Sequence, residues 1–140
     1  MPELPVSGGA MKLLVLVSAG GAIGAALRFL TYQVFAGYAF ARGGPMFPWA
    51  TLAVNVVGSF LMGLAVVTII ERFDSSPELR AFVMAGILGG FTTFSAFSLD
   101  AADLYANRSL EAVAAYIVGS VVLSIAGLVA GMALARWTLT

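Results

Sequence analysis

Four long stretches of this chain carry no charged side chain. They cover residues 13–27, continued beyond Arg28 by 29–41, and residues 49–70, 81–99 and 112–135. A helix needs about 20 apolar residues to cross a bilayer, and a lone segment in hydrocarbon can satisfy its backbone polar groups only as a helix. The sequence therefore predicts an all-α membrane protein. It forms a single transmembrane domain over residues 1–140, with helices at roughly 12–36, 48–70, 79–105 and 110–136.

The composition excludes several classes of protein. Hydrophobic residues make up 61% of the chain and charged residues 10%, whereas a soluble domain carries roughly 25% charged residues. The net charge is zero and no basic patch is present, so the expected surroundings are the lipid bilayer and not nucleic acid. Histidine and cysteine are absent, which argues against zinc, haem and iron–sulfur sites. No nucleophile and base are paired, so an enzyme is not expected.

Positive charges are spread almost evenly over the two sides of the predicted bundle. One side carries Lys12, Arg72, Arg80 and Arg136, and the other carries Arg42, Arg108 and, where it reaches that interface, Arg28. A bias of lysine and arginine normally orients a membrane protein, and four against three gives almost none. Insertion in both orientations and a single orientation fixed by one or two charges remain equally open from this count.

Two predicted helices carry a line of polar residues along one face. The spacing i, i+4, i+8 aligns Thr51, Asn55 and Ser59 on the second helix, and Tyr116, Ser120 and Ser124 on the fourth. The hydroxyls either hydrogen-bond between or within helices or line a polar path. The amide of Asn55 cannot be satisfied by its own helix, so it either joins helices or faces water or a ligand.

The third predicted helix contains residues that disfavour a regular helix. Gly89 and Gly90 are followed by Thr92 and Thr93, within a run of small, hydroxyl and aromatic residues. We expect the helix to be broken there, at mid-membrane, where non-helical backbone is tolerated only if it is buried or lines a cavity. Carbonyl groups freed by a break suit a hard cation, and N–H groups freed at a restarting helix suit an anion.

Glycine pairs and one embedded arginine complete the pattern. The GxxxG pairs are Gly20 and Gly24, Gly86 and Gly90, and Gly127 and Gly131. Such pairs predict close helix contacts. Arg28 is a basic residue within an apolar stretch, and it either extends to the membrane interface or hydrogen-bonds at a helix end.

Three segments together resemble the Fluc (CrcB-type) fluoride channels. They are residues 20–28, GGAIGAALR, residues 51–60, TLAVNVVGSF, and residues 89–97, GGFTTFSAF. They occur in the family's order, and the resemblance covers nearly the whole chain. It implies a passive, fluoride-selective channel that exports fluoride from the cytoplasm. It also implies an antiparallel, dual-topology homodimer in the plasma (inner) membrane, with a sodium ion at the dimer centre.

The resemblance also assigns parts to individual residues. Those expected to line the fluoride pore are Asn55, Phe94, Phe97, Thr51, Ser95, Tyr116, Ser120 and Ser124. Those expected to hold sodium through backbone carbonyls are Gly89 and Thr92, and those with a structural part are Arg28, Gly90 and Thr93. The pore phenylalanines would present their positively polarised ring edges to the anion. Phe29 and Ala96 depart from the family's tyrosine and threonine, and the second change removes a hydroxyl beside those rings.

Two other functions compete with a channel. A proton-coupled, dual-topology transporter of the small multidrug type needs an acidic residue within the membrane, and none lies at the middle of a predicted helix. A non-conducting membrane assembly subunit explains the glycine pairs, but it leaves the polar lines and Asn55 without a role.

Overall fold

The described part of the chain folds into helices joined by short connections. The computed structural model describes residues 8–41 and 47–139, so Arg42 and both ends of the predicted domain lie outside it. Four of its helical segments are long and apolar enough to cross a membrane. This confirms the prediction of an all-α chain with four such helices.

We call these segments the first to fourth spans. The first is Gly8–Ala41, the second is Trp49–Arg72, and the fourth is Leu110–Leu139. The third, Pro77–Asn107, consists of the consecutive pieces Pro77–Leu79, Arg80–Leu88, Gly89–Phe91 and Phe94–Asn107. Two residues between the last two pieces, Thr92 and Thr93, are not helical.

Each span is longer than the stretch predicted for it. The first continues beyond the predicted end at residue 36, through Gly37 to Ala41. A glycine within a helix costs about 1 kcal/mol relative to alanine, which is too little to end a helix with apolar residues on both sides. In the third span, Arg80–Leu88 is a π-helix of nine residues. The sequence did not predict it, because a run of apolar residues does not distinguish i→i+5 from i→i+4 hydrogen bonding.

The first and third spans pack backbone to backbone. A methyl group on Gly24 would overlap the carbonyl oxygen of Ile87, and one on Gly90 would overlap the carbonyl oxygen of Gly21. The absence of a side chain lets the two backbones approach this closely, as small residues do in membrane bundles. The prediction that these glycines form helix contacts is confirmed.

The second and fourth spans form an equally close pair. A methyl group on Gly63 would overlap the carbonyl oxygen of Leu128, and one on Gly131 would overlap that of Phe60. The bundle therefore consists of two tightly packed pairs, the first span with the third and the second with the fourth.

Apolar side chains cover the outside of the bundle. Exposed residues such as Leu14 and Val122 occur along the first and fourth spans, which suits a surface in contact with lipid. The interior also contains polar groups: the largest side chains that are fully buried are Tyr116, Val54 and Thr51, and two of these carry a hydroxyl group. Hydroxyl groups are thus enclosed within the bundle.

Candidate functional site

Two residues of the third span leave the helical conformation. Thr92 has φ −79° and ψ 160°, and Thr93 has φ −154° and ψ 122°, both in the extended region. An α-helix resumes at Phe94, with Thr93 as its N-cap. The glycines and β-branched threonines of this stretch have low helix propensity, so the interruption costs little locally.

All four backbone polar groups of these two residues have a partner. The Thr92 N–H donates to the carbonyl of Leu88 at 3.0 Å, and the Thr92 carbonyl accepts from Nη1 of Arg28 at 3.1 Å. The Thr93 N–H donates to Oδ1 of Asn55 at 2.8 Å, and the Thr93 carbonyl accepts from Nδ2 of Asn55 at 3.0 Å. Non-helical backbone within a membrane requires such complete pairing. Arg28 and Asn55 thus hold the interruption from the first and second spans.

The sequence left two roles open for each of Asn55 and Arg28, and the structure shows one role for each residue. Asn55 joins two helices, and Arg28 hydrogen-bonds a carbonyl just beyond the end of a helix. An amide nitrogen carries two N–H groups, and one bond to the Thr93 carbonyl uses one of them. The second N–H of the Asn55 amide is not used by the bond to Thr93, and Asn55 lines a groove beside the interruption.

Hydroxyl groups fix the helix ends on both sides of the interruption. Oγ1 of Thr93 accepts from the Ala96 N–H at 3.1 Å and lies 3.2 Å from Oγ of Ser95. Oγ1 of Thr92 donates to the carbonyl of Leu88 at 2.9 Å. A threonine N-cap stabilises a helix by about 1 kcal/mol, so Thr93 helps the helix to restart at the next residue.

A groove of about 470 Å³ opens along the interruption, between the second, third and fourth spans. Its lining consists of Asn55, Gly58, Ser59, Met62, Thr92, Thr93, Phe94, Phe97, Ser120, Val121, Ser124, Ile125 and Leu128. It brings together the predicted pore residues Asn55, Phe94, Phe97, Ser120 and Ser124. The lining contains no acidic or basic side chain among the described residues, so its hydrogen-bond donors are neutral amide and hydroxyl groups.

The hydroxyl of Ser120 is buried in this groove without a partner. The residue is 4% exposed, and its Oγ makes no hydrogen bond within the described part of the chain. A serine in a helix commonly donates to the carbonyl four residues earlier, which Ser120 does not do. A buried hydroxyl left unpaired costs about 1–3 kcal/mol. The groove therefore contains a donor that is free to bind a ligand.

Aromatic rings form one side of the groove. The ring centroids of Phe94 and Phe97 are 5.4 Å apart, and those of Phe97 and Tyr116 are 5.3 Å apart. Phe97 is 9% exposed, whereas Phe94 is 78% exposed. Ring edges carry a partial positive charge, so a ring beside a path with neutral donors adds a weak attraction for an anion.

The other predicted pore residues lie outside this groove. Ser95 is exposed and lines a second cavity, of about 570 Å³, together with Arg28. Thr51 is 1% exposed and lines a third cavity, of about 270 Å³, together with Asp100. Tyr116 is fully buried, and its hydroxyl donates to Oδ2 of Asp100 at 3.1 Å.

The two carbonyls expected to bind sodium differ in their surroundings. In a continuous helix the Thr93 N–H would donate to the carbonyl of Gly89, but it donates to Asn55, so the Gly89 carbonyl lacks that partner. The Thr92 carbonyl accepts from Arg28 and keeps a second lone pair. Within the described residues, no group of three or more histidine, cysteine or carboxylate side chains is arranged to bind a metal.

Two further residues of the interior were missed from the sequence. The phenol oxygen of Tyr32 lies 2.7 Å from Oγ1 of Thr51, and Oδ2 of Asp100 accepts a hydrogen bond from the Tyr116 hydroxyl. Tyr32 follows Arg28 by four residues and therefore shares its helix face, which was the available signal. Asp100 lies two turns beyond the helix interruption, and no spacing in the sequence relates it to the fourth span.

The chain matches a known protein family over most of its length. The family model described as "CrcB-like protein, Camphor Resistance (CrcB)" matches residues 15–132. The chain belongs to the CrcB family. This confirms the resemblance that the three segments indicated. The match to the CrcB model includes every residue that lines the groove and both residues of the helix interruption.

Three proteins similar to this CrcB-family chain share the name "Fluoride-specific ion channel FluC". The protein of that name from Agrobacterium fabrum (strain C58 / ATCC 33970) is 50% identical over 123 residues, which are 88% of this chain and 95% of the relative. Those from Rhodospirillum centenum (strain ATCC 51521 / SW) and Chelativorans sp. (strain BNC1) are 49% and 52% identical over 126 residues. That length is 90% of this chain and 97% and 98% of the respective relative. All three are named as channels, and none as a multidrug transporter, an assembly subunit or an enzyme.

Proposed function

We propose that this chain is a fluoride-specific ion channel that lets fluoride leave the cytoplasm passively. The relatives named above support the ion and the channel activity, since they are about half identical over nearly the full chain. The observation that carries the proposal is the unpaired, buried hydroxyl of Ser120 in a groove that also holds Asn55 and Phe94. This is a site equipped with free donors and without fixed charge.

Neutral donors suit the physical demands of fluoride conduction. Fluoride is small and strongly hydrated, so a pore must replace its water with hydrogen-bond donors. A channel must also bind the ion weakly enough to release it, and a lysine or arginine in the groove would hold it. The hydroxyls of Ser120 and Ser124, the free N–H of Asn55 and the edges of the two phenylalanine rings satisfy both demands.

The working unit in this proposal is a homodimer. A groove of about 470 Å³ lined by amide and hydroxyl groups is costly to expose to lipid, where these groups find no partner. The ring of Phe94 lines the same groove and is 78% exposed in the single chain, so a second protein surface would cover it as well. A second copy of the chain placed over this face would close the groove into a pore. It would also supply the second wall that one slender bundle of four helices lacks.

We propose that the two copies are antiparallel and lie in the plasma (inner) membrane. The nearly equal count of positive charges on the two sides supports insertion in both orientations, because neither side carries the excess of lysine and arginine that would keep it in the cytoplasm. An interior that is electrically negative drives anions outward, so a passive pore in that membrane exports fluoride.

We further propose a sodium ion at the dimer centre, held by the carbonyls of Gly89 and Thr92. Carbonyl oxygens suit a hard cation, and both residues have one to offer, since Gly89 lacks its helical partner and Thr92 keeps a lone pair besides the bond to Arg28. When bound, the ion would supply positive charge to a bundle whose net charge is zero. Replacing sodium by a large organic cation during purification is then expected to lower the thermal stability of the dimer, and an unchanged melting temperature would count against the site.

The experiment that tests the function is ion efflux from liposomes that contain the purified protein. Liposomes loaded with potassium fluoride are diluted into a fluoride-free buffer, and a fluoride electrode follows release after valinomycin is added to compensate the charge. We expect rapid fluoride release, independent of a proton gradient, and negligible chloride release in the matched chloride experiment. Equal passage of both halides would reject selectivity, and no fluoride release from a correctly folded dimer would reject the function.

Topology is tested separately, with reporters fused to the C-terminus. One reporter is active only in the cytoplasm and the other only outside it. Comparable signals from both fusions are expected for dual insertion. A signal from one fusion only would reject the antiparallel homodimer and leave the fluoride activity to be judged by the efflux experiment.

A further inference from the structure

Tyr32 of the first span makes a short hydrogen bond to a buried hydroxyl of the second span. Its phenol oxygen lies 2.7 Å from Oγ1 of Thr51, and Thr51 is only 1% exposed. Tyr32 itself is half-buried and lines a cavity of about 270 Å³ together with Thr51 and Asp100. Tyr32 does not line the groove, but it also lines the second cavity together with Arg28 and Thr93. Its bond to Thr51 therefore requires an explanation other than the lining of the groove.

Thr51 lies on the same face of the second span as Asn55 of the groove. It precedes Asn55 by four residues on the same helix face, and Asn55 lines the groove. The fully buried ring of Tyr116 packs against Phe97 of the groove, and its hydroxyl donates to Asp100 of the cavity that Thr51 lines. An ion that leaves the groove along the second span would therefore next meet the hydroxyl of Thr51.

The bond to Tyr32 decides where the Thr51 proton is directed. A threonine in a helix commonly turns its hydroxyl back to the carbonyl four residues earlier, here that of Phe47. The Phe47 carbonyl, which lies just before the second span, accepts from the N–H of Trp49 at 2.7 Å, and the Thr51 hydroxyl pairs with Tyr32. A phenol is a more acidic hydroxyl than an aliphatic alcohol, so Tyr32 is the better donor of the two. With Tyr32 donating, Oγ1 of Thr51 accepts, and its own proton can donate to the neighbouring Tyr116 hydroxyl or to an ion.

We propose that Tyr32 is a positioning residue of the ion pathway, which acts by keeping the Thr51 hydroxyl turned away from the Phe47 carbonyl and ready to donate to a passing fluoride ion. The inference rests on the proposed channel function. Tyr32 does not touch the ion in this scheme. Its effect passes entirely through Thr51.

The test combines Tyr32→Phe with substitutions of Thr51 in the full-length protein reconstituted in liposomes. Fluoride flux is measured per active channel, at several fluoride concentrations. Tyr32→Phe removes one hydrogen bond and is expected to lower this flux about fivefold. In a Thr51→Val background, which has no hydroxyl to orient, Tyr32→Phe is expected to cause no further change. In a Thr51→Ser background the loss of about fivefold should persist, since the hydroxyl is retained.

Tyr38→Phe is the matched control, because Tyr38 lies on the same span and is 66% exposed. Its flux is expected to equal that of the unaltered protein. If Tyr32→Phe reduces only the yield or melting temperature of the dimer, with flux per active channel unchanged, Tyr32 is merely a structural contact and the proposal is overturned. A further loss in the Thr51→Val background would also overturn it, since Tyr32 would then act by another route. Both results leave the channel function standing, whereas absent fluoride flux in the unaltered protein would refute that function itself.

Discussion

Asn55 and Thr93 exchange two hydrogen bonds, one in each direction, across the contact between the second and third spans. The amide of Asn55 satisfies the N–H and the carbonyl of the same backbone residue, as a strand would. The Asn55 amide thus replaces the backbone hydrogen bonds that a helix would give Thr93. The same amide lines the groove, so one side chain both holds the interruption and faces the proposed ion path.

Asn55→Asp is expected to reduce fluoride flux at least about tenfold. The aspartate keeps an oxygen for the Thr93 N–H, but it loses the donor to the Thr93 carbonyl and places a negative charge where an anion has to pass. Asn107→Asp is the matched control: Asn107 is exposed, and its Nδ2 donates to the single carbonyl of Asp103 at 3.1 Å. Liposome efflux measures both variants, and equal flux in the two would place the pathway away from Asn55.

Phe94→Ile is expected to abolish most fluoride flux while the dimer still forms. Isoleucine keeps an apolar side chain at the groove but has no polarised ring edge to offer an anion. Phe73→Ile, at a residue that is 53% exposed and lies beyond the end of the second span, should have no effect. Size-exclusion chromatography checks the dimer in both variants. A Phe94→Ile channel with undiminished flux would show that the ring is not part of the pore.

Ser120→Ala is expected to separate stability from function. Removing a buried, unpaired hydroxyl should leave the thermal stability unchanged or raise it, because an unmet hydrogen-bonding group disappears. Fluoride flux should fall several-fold, since the groove loses a free donor. Ser98→Ala, whose hydroxyl is exposed and bonds its own helix at 3.0 Å, is the control for flux. A clear loss of stability in Ser120→Ala would mean that the hydroxyl has a structural partner after all.

Gly24→Ala is expected to destabilise the protein by about 1–3 kcal/mol, the usual cost of forcing extra volume into a packed contact. The new methyl group would overlap the carbonyl oxygen of Ile87 and push the first and third spans apart. Gly21→Ala, three residues earlier on the same helix, has open space around the added methyl group and should be tolerated. Thermal unfolding in detergent compares the two variants. Equal melting temperatures would show that the close contact at Gly24 does not contribute to stability.

The sequence was sufficient for features that depend on local chemistry. Uncharged runs of sufficient length predicted four spans, and glycines four residues apart predicted backbone contact; the structure confirms both. The three family segments were confirmed as a sign of the CrcB family. The low helix propensity of Gly89 to Thr93 also agrees with the extended conformation found at Thr92 and Thr93. The spans, the glycine contacts and the interruption follow from residues close together in the chain, and the family follows from three such segments taken together.

Features that depend on the arrangement of distant residues were not available from the sequence. Nothing local states that the two bonds of the Asn55 amide go to Thr93, or that Tyr32 reaches Thr51. Phe94 and Ser95 are successive residues of the restarted helix and line different cavities, and the packing of the spans decides which neighbours complete each cavity. The pore and sodium assignments of individual residues remain predictions, to be judged by the variants above.

The partners of the helix interruption have a consequence for how the chain assembles. Arg28 and Asn55 both precede Thr92 and Thr93 in the chain, so a ribosome delivers them to the membrane first. When the third span emerges, the groups that its two extended residues need are already in the bilayer. A circular permutation that reverses the order of synthesis would place the third span in the bilayer before its partners, with unpaired backbone N–H and C=O groups in hydrocarbon. Such a protein should misassemble even though its sequence still encodes every native contact.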